Sequence, residues 1–158
     1  MDKKSPADGA EIVIPKEKAV FWMDAQGRWH NQHGPFQHKK IIDHFNAAIQ
    51  KDEKGYFVGQ FHADRFEKVY FRYAETALFA VDLVWHQSVK MILNTGAEID
   101  LVPERLFIRG DQLYHRYDGD IIKFSERALM QISERIQRLD GEYVLEWPGK
   151  NYRLPETD

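Results

Sequence analysis

The chain has 158 residues, of which 43% are hydrophobic and 13% aromatic, enough apolar material for one packed domain or two small ones. Its 22 lysines and arginines stand against 25 aspartates and glutamates, a net charge of −3, and this near balance argues against a nucleic-acid partner. There is no cysteine, so disulfides, thiol nucleophiles and thiolate metal sites are excluded.

The ends of the chain and its longest apolar run indicate where in the cell the protein is expected. Residues 1–10 are polar, lack the apolar core of a signal peptide and are predicted to form a flexible tail, as are residues 155–158. The longest apolar run, residues 77–81, meets Asp82 and is far shorter than the roughly 20 residues that cross a bilayer. The sequence therefore predicts a cytoplasmic protein with no membrane span.

The first half, residues 11–75, is predicted to contain short strands around one helix. Strands are expected at residues 21–23 and 28–32, and Gly34 then breaks the pattern. Apolar residues at helical spacing predict an amphipathic helix of about three turns. Its apolar positions are Ile41, Ile42, Phe45, Ala48 and Ile49. Gly55 ends this segment, and further strands are expected at residues 56–58 and 66–73.

The second half, residues 76–158, has the clearest strand pattern. Alternating apolar residues predict strands at residues 79–85 and 89–93, with a hairpin turn at His86-Gln87 and another at Asn94-Thr95-Gly96. Further strands are expected at residues 106–108, 113–117, 143–145 and 152–154. A second amphipathic helix follows the turn at Asp118-Gly119, with apolar positions Leu129, Ile132 and Ile136.

The two halves resemble each other. One register aligns four pairs, namely Trp22 with Phe107, Trp29 with Tyr114, His30 with His115 and Gly34 with Gly119. A two-residue insertion then shifts the register, and the shifted register aligns Ile42, Phe45 and Ile49 with Leu129, Ile132 and Ile136. We therefore predict an internally duplicated α+β fold, in which strand-strand-helix-strand-strand units are built around antiparallel sheets. Ligand sites often lie where two such units meet.

Histidines are concentrated between the second strand and the first helix. His30, His33, His38 and His44 lie within fifteen residues, and imidazole is a common ligand of zinc. Their spacing does not predict convergence on one point, so solvated or helix-capping side chains are the favoured interpretation. We therefore predict no metal and no cofactor. A metal-dependent hydrolase built on residues 30–44 is kept as a weaker alternative.

Five side chains are candidates for lining a ligand site, and no catalytic residue is assigned. They are Trp29, His30, Glu75, Asp82 and Tyr114. The two aromatic rings would supply flat apolar walls, and the other three would supply polar contacts. For His30 and its counterpart His115, the favoured interpretation is the ordinary polar face of an alternating strand.

Asp82 interrupts the most apolar predicted strand. A carboxylate that is partly buried needs a partner or has a raised pKa. It is therefore either a ligand contact or one half of an ion pair. The expected arginine comes from a neighbouring strand, such as Arg72 or Arg105.

Several stretches resemble the DUF1285 family of bacterial proteins of unknown function. They are Gly27-Arg28-Trp29, Gly34-Pro35-Phe36, the first helix up to Gly55-Tyr56, and Ala74-Glu75-Thr76-Ala77-Leu78-Phe79, which looks like that family's Val-Glu-Asp-Ala-Pro-Phe segment. The resemblance extends loosely to the second helix. The positions that it carries over are Trp29, Gly34, Glu75, Ala77 and Phe79.

This resemblance implies a duplicated α+β fold whose C-terminal part is loosely like a pleckstrin-homology domain. It also implies that an effector binds between the two halves, with a part in signalling. The chain departs from the family at Thr76, where the family has Asp, and at Leu78, where it has Pro. His38 and Ser125 stand at the helix starts, where the family has Arg. If those arginines bind an anionic effector, this chain binds something else or nothing.

The sequence thus predicts a non-enzymatic effector-binding or regulatory protein, with an unknown small-molecule effector held between the repeats. The alternative is an interaction module whose exposed strand edges bind another protein or a second copy, giving a homodimer.

Overall fold

The computed structural model describes residues 10–158, which form sixteen strands and two α-helices. The predicted α+β class is confirmed, and the structure is mostly sheet. The chain divides into two compact units, one ending at Ala77 and the other spanning Leu78–Asp158. The predicted N-terminal tail lies outside the described residues except for Ala10, which begins the first strand. None of the helices within residues 10–158 could traverse a bilayer, given their length and polarity.

Seven strands and one helix make up the described part of the first unit. They are β1 (Ala10–Ile14), β2 (Phe21–Met23), β3 (Trp29–Asn31), β4 (Gly34–Pro35), α1 (Lys39–Ala47), β5 (Ile49–Asp52), β6 (Gly55–His62) and β7 (Arg65–Tyr70). One sheet has the order β1-β7-β6-β5, with β1 parallel to β7, and a smaller antiparallel sheet has the order β2-β3-β4.

The second unit contains nine strands and one helix. They are β8 (Phe79–Trp85), β9 (Val89–Leu93), β10 (Glu98–Asp100), β11 (Leu106–Arg109), β12 (Gln112–Tyr117), β13 (Asp120–Phe124), α2 (Glu126–Ser133), β14 (Ile136–Leu139), β15 (Glu142–Trp147) and β16 (Lys150–Leu154). Six strands form a sheet in the order β10-β9-β8-β13-β12-β11, and the last three form an antiparallel sheet.

Both helices end earlier than their apolar spacing predicts. Helix α1 stops at Ala47, and Ile49 instead begins β5 opposite Val58. Helix α2 stops at Ser133, and Ile136 begins β14 opposite Leu145. An isoleucine is β-branched and favours a strand, so pairing with the next strand decides its conformation against the helical period.

Helix α2 covers one face of the six-stranded sheet and closes the core of the second unit. Ala128 and Ile132 are fully buried there, against a core that includes Leu83, Met91 and Ile122. Ser125 begins the helix, and its hydroxyl oxygen accepts a hydrogen bond from the Ala128 N–H at 3.2 Å. Such a cap satisfies one of the amides that a helix start leaves unpaired.

Several short strands, and the pairing of the C-terminal residues with β11, were not predicted from the sequence. Strands β1, β4, β5, β13 and β14 were not predicted. Residues 155–157, predicted as part of a flexible end, pair with β11 instead. The Ile108 N–H donates to the Pro155 carbonyl oxygen at 2.8 Å, and the Thr157 N–H donates to the Ile108 carbonyl oxygen at 2.8 Å.

The same order of elements occurs in both units. Three strands, a helix and three strands run from β2 to β7 in the first unit and from β11 to β16 in the second. One backbone hydrogen bond also recurs just after each helix. The Gly59 N–H donates to the Ala48 carbonyl at 3.0 Å, and the Glu146 N–H donates to the Arg135 carbonyl at 2.7 Å.

Candidate functional site

Trp29 lies on β3 in the aromatic interior of the first unit. Its side chain is 1% exposed, and its ring packs edge-on against Phe21, Phe45 and Phe71 at centroid distances of 5.7, 5.3 and 4.8 Å. The indole Nε1–H donates to Oδ1 of Asn46 at 2.7 Å. These contacts describe a core residue, and its predicted role as a ligand wall stays a prediction.

His30 lies beside Trp29 on the opposite, half-buried face of β3. Its Nε2 lies 2.7 Å from Oδ2 of Asp24, and its ring stacks on Trp22 at 5.7 Å. Burial alone would raise the pKa of Asp24, but the hydrogen bonds from His30 and from the amides of Arg28 and Gln26 lower it below its usual value. The imidazole is thus oriented between a carboxylate and a 42% exposed indole.

The other histidines of residues 30–44 do not gather around a point. His33 and His38 are exposed, and His38 precedes α1 without making a side-chain cap. His44 lies near the end of α1, with its ring 6.4 Å from that of Phe45. In residues 10–158, no three His, Asp or Glu side chains are placed so that they could hold a metal ion. The hydrolase alternative therefore finds no support in the described chain.

His115, the predicted counterpart of His30, is fully buried on β12. Its Nε2 accepts the Val102 N–H at 3.0 Å, so the neutral ring carries its proton on Nδ1, which has no hydrogen-bond partner. Burial lowers the pKa of His115 to about 4. The charge of Arg105 acts in the same direction, and the backbone of Arg116 opposes both without making a regular hydrogen bond to Nδ1.

Asp82 lies at a bulge in β8, where it holds the strand to helix α2. Its Oδ1 accepts a hydrogen bond from Nε2 of Gln131 at 2.7 Å and lies 3.5 Å from Nε of Arg127. The Gln131 bond and then the Arg127 charge lower the pKa of Asp82. The expected partners Arg72 and Arg105 are wrong, because the arginine comes from α2 and not from a strand. A ligand contact at Asp82 stays a prediction.

The last two candidates differ in exposure. Glu75 is exposed and lies between β7 and β8, at the end of the first unit. Tyr114 is buried on β12, and its ring stacks on that of Phe107 at 5.1 Å and 12°. The guanidinium of Arg109 lies 5.4 Å from each ring centroid. The two aromatic candidates, Trp29 and Tyr114, belong to different units. The assignment of all five candidates to one ligand site stays a prediction.

A cleft of about 830 Å³ opens in the second unit, and none of the five candidates lines it. It is formed by Arg105 and by the hairpin of β12 and β13, residues 116–121. Asp118 and Gly119 connect these strands with φ of 49° and 75°, the left-handed conformation that aspartate and glycine tolerate best. Sites for small molecules typically measure about 300–1,000 Å³.

Two arginines give this cleft its chemical character. The guanidinium of Arg116, on β12, lies 4.4 Å above the ring of Phe107, on β11. Arg105 is the last residue of a 3-10 turn that directly precedes β11. Neither guanidinium forms an ion pair with a carboxylate of residues 10–158. Sequence reasoning considered Arg105 only as a partner of Asp82 and did not consider Arg116. The signal was the alternation of basic and aromatic residues along 105–109 and 114–116.

A smaller cleft of about 330 Å³ lies in the first unit, where β3 and β4 meet the start of α1. Asn31, His33, Phe36, His38 and Ile41 contribute to its lining. Its two imidazoles are too few for a metal site, so we assign it no chemistry.

Fold and cleft together define a mostly-sheet α+β protein with a polar cleft in its second unit. No protein-family model matches the sequence, and no curated protein does. Among solved structures, a DUF1285 family protein from Silicibacter pomeroyi DSS-3 matches 97% of this chain and 89% of its own, with a TM-score of 0.61 and 16% identity. A DUF1285 family protein from Shewanella baltica OS155 matches 73% of this chain and 91% of its own, with a TM-score of 0.51 and 16% identity. The predicted resemblance to this family is confirmed at the level of the fold.

Proposed function

We propose that this protein binds a small-molecule effector without transforming it, in the cleft formed by Arg105 and residues 116–121. The observation that supports the proposal is the combination of volume and chemistry. The cleft measures about 830 Å³ and presents guanidinium, carboxylate and phenol groups. Its two guanidiniums have no carboxylate partner within residues 10–158. A concave surface of this volume with a few convergent polar groups is typical of a small-molecule site.

We also propose that the two units arose by duplication. The common order of three strands, a helix and three strands supports this. So do two matching parallel bridges, Trp22 with Arg72 in the first unit and Ile108 with Glu156 in the second. An effector site between the halves, a role in signalling and a cytoplasmic location stay predictions from the sequence and the resemblance, and this proposal does not depend on them.

A ligand of this cleft is expected to raise the melting temperature of the protein. At a hundredfold excess over its dissociation constant it adds about 2.7 kcal/mol, which corresponds to roughly 5 °C or more for a chain of this size. The measurement is a thermal-shift screen of untagged protein against anionic, cationic and neutral metabolites. Ile121→Trp, which places an indole in the cleft, should abolish the shift.

The matched control is Val144→Trp, a half-buried position on β15 that does not line the cleft. It should respond to the ligand as the parent does. A shift that survives Ile121→Trp would place the ligand elsewhere, and the absence of any shift across the panel would remove the proposal.

A second candidate function, self-association, is favoured by the four-stranded sheet of the first unit. Strand β1 lies at the edge of that sheet and exposes Val13, at 46%. Phe61 is 53% exposed, and its ring lies 4.8 Å from that of Phe66. The pairing registers place Val13 and Phe61 on the same face. An open strand edge next to exposed apolar side chains is a common means of pairing with a second copy.

If this surface pairs two copies, the mass measured by light scattering should rise with protein concentration towards twice 18.7 kDa. Phe61→Ser should then return the protein to the monomer mass. Met130→Ser is the control, because Met130 is exposed on α2 in the other unit. A constant mass of 18.7 kDa at every concentration would eliminate self-association.

A further inference from the structure

We propose that the effector carries an oxyanion, a phosphate or a carboxylate group, and that Arg105 and Arg116 together bind it. This inference rests on the proposed function, because it concerns the same cleft. It specifies the chemical class of the ligand, which the proposed function leaves open.

The strand register brings the two arginines to the same end of one ladder. Leu106 and His115 are directly opposite each other, where β11 pairs with β12. Arg105 immediately precedes Leu106, and Arg116 immediately follows His115. Both side chains are exposed and both line the cleft. Continuing this register by one residue places Arg105, the last residue of a 3-10 turn, opposite Arg116.

More positive charge lies along the same face of these strands. Phe107 and Tyr114 are opposite each other and stacked. The guanidinium of Arg109 lies 5.4 Å from both ring centroids, and Nζ of Lys123 lies 5.9 Å from that of Tyr114. Arg116 is 4.4 Å from the Phe107 ring. Three cationic side chains thus contact the faces of this aromatic pair, and of these only Arg116 also lines the cleft.

The lining of the cleft also contains two carboxylates, those of Asp118 and Asp120. Asp118 is in the turn, and Asp120 begins β13 opposite Tyr117. Neither forms an ion pair with Arg105 or Arg116. Asp118 lies at the turn end of the hairpin and can contact a hydroxyl or ammonium group of the same ligand. Neither arginine forms an ion pair with a carboxylate of residues 10–158.

The physical argument is relief of repulsion. Like charges on neighbouring strands destabilise a sheet, and an anion between them replaces repulsion with attraction. A guanidinium offers a planar fork of donors that matches a carboxylate or a phosphate in a bidentate manner. Arg116 is already oriented by its contact with the Phe107 ring, so less side-chain freedom is lost when the anion binds.

The experiment uses the full chain and three soluble probes: inorganic phosphate, pyrophosphate and citrate. Nitrogen-15 NMR follows the side-chain Nε–H signals of the arginines, and a thermal scan follows stability. At least one probe should shift the Arg105 and Arg116 signals in a saturable manner and raise the melting temperature. Comparison of pyrophosphate with citrate tells whether the site prefers phosphate or carboxylate. Arg105→Gln and Arg116→Gln should each weaken binding about tenfold or more, the loss expected when a charge-assisted hydrogen bond is removed.

Two controls separate this inference from general charge effects. Arg153→Gln removes one exposed arginine on β16, away from the cleft, and should leave anion affinity unchanged. Without anion and at low ionic strength, Arg105→Gln should melt no lower than the parent, because a repulsion has been removed and Arg105, unlike Arg116, has no contact with an aromatic ring. Equal affinity of the parent and both cleft variants for every probe, or no saturable response at all, would overturn the inference.

One further result would contradict the inference that the ligand carries an oxyanion but would leave the proposed function intact. That result is a neutral or cationic ligand that Ile121→Trp excludes and that binds Arg105→Gln and Arg116→Gln as tightly as the parent.

Discussion

Replacing Trp29 with alanine is expected to lower the free energy of unfolding by about 3–5 kcal/mol, the range for deleting a large buried aromatic side chain. The ring is 1% exposed and contacts several aromatic neighbours, so its removal leaves a cavity that the two-residue strand β4 and the short helix α1 can only partly close. The substitution also leaves the amide of Asn46 without its indole donor. Urea titration measures the effect.

The matched variant is Trp29→Phe, which keeps an aromatic ring and removes the Nε1–H donor. We expect a smaller loss, of about 1–3 kcal/mol, from the unpaired Asn46 oxygen and the smaller ring volume. If alanine cost less than about 1 kcal/mol, the ring would not belong to the core that the structure shows. The phenylalanine variant also tests the predicted ligand wall, because it can fold and be assayed for binding.

Stability is expected to fall by as much as about 3 kcal/mol between pH 6.5 and pH 4 because of His115. The pKa of this buried imidazole is about 4 in the folded protein and near 6.5 when unfolded. Within this window the unfolded chain binds a proton that the folded chain does not. Protonation therefore favours unfolding as the pH decreases, and the stability is fully present above pH 6.5.

His115→Gln should be less stable than the parent at neutral pH but should lose much of this pH dependence. The glutamine carbonyl can still accept the Val102 N–H, and it does not titrate. His86→Gln, at an exposed turn, is the control and should keep the slope of the parent. Urea midpoints measured across the pH range provide the test. A slope in His115→Gln equal to that of the parent would show that His115 is protonated without cost in the folded state.

The carboxylates whose pKa is lowered act in a different pH range. Asp24 and Asp82 have folded-state pKa values below the usual 3.8, so the stability that they add is present above that pH. It is lost as the pH falls through their lower folded values. Acid unfolding below pH 4 is therefore expected in all variants, and only the region above pH 4 reports on His115.

Local sequence signals were sufficient for many strands and turns. The alternation of residues 79–85 and 89–93 corresponds to β8 and β9, and the turns at Asn94-Thr95-Gly96 and Asp118-Gly119 connect strands. These features depend on side-chain alternation and on the backbone preferences of glycine, asparagine and aspartate. Such preferences depend on residue types within a few positions, so they can be predicted from the sequence alone.

The ends of the helices were decided by pairing with the next strand, and the partner of Asp82 was decided by a contact between residues far apart in the sequence. Ile49 and Ile136 fit a helical period and a strand equally well, and their pairing with Val58 and Leu145 selects the strand. Asp82 finds Gln131, forty-nine residues away, where an arginine of a neighbouring strand had been expected.

The sequence by itself determined the α+β class, the absence of cysteine chemistry, and the resemblance to the DUF1285 family that the fold confirms. Only the tertiary structure decided which polar groups meet at one place. Helix α2 packs on the sheet and brings Gln131 to Asp82, a contact that no local preference specifies. Burial and strand pairing are energies of the whole chain, so they select among local conformations that are nearly equal in free energy.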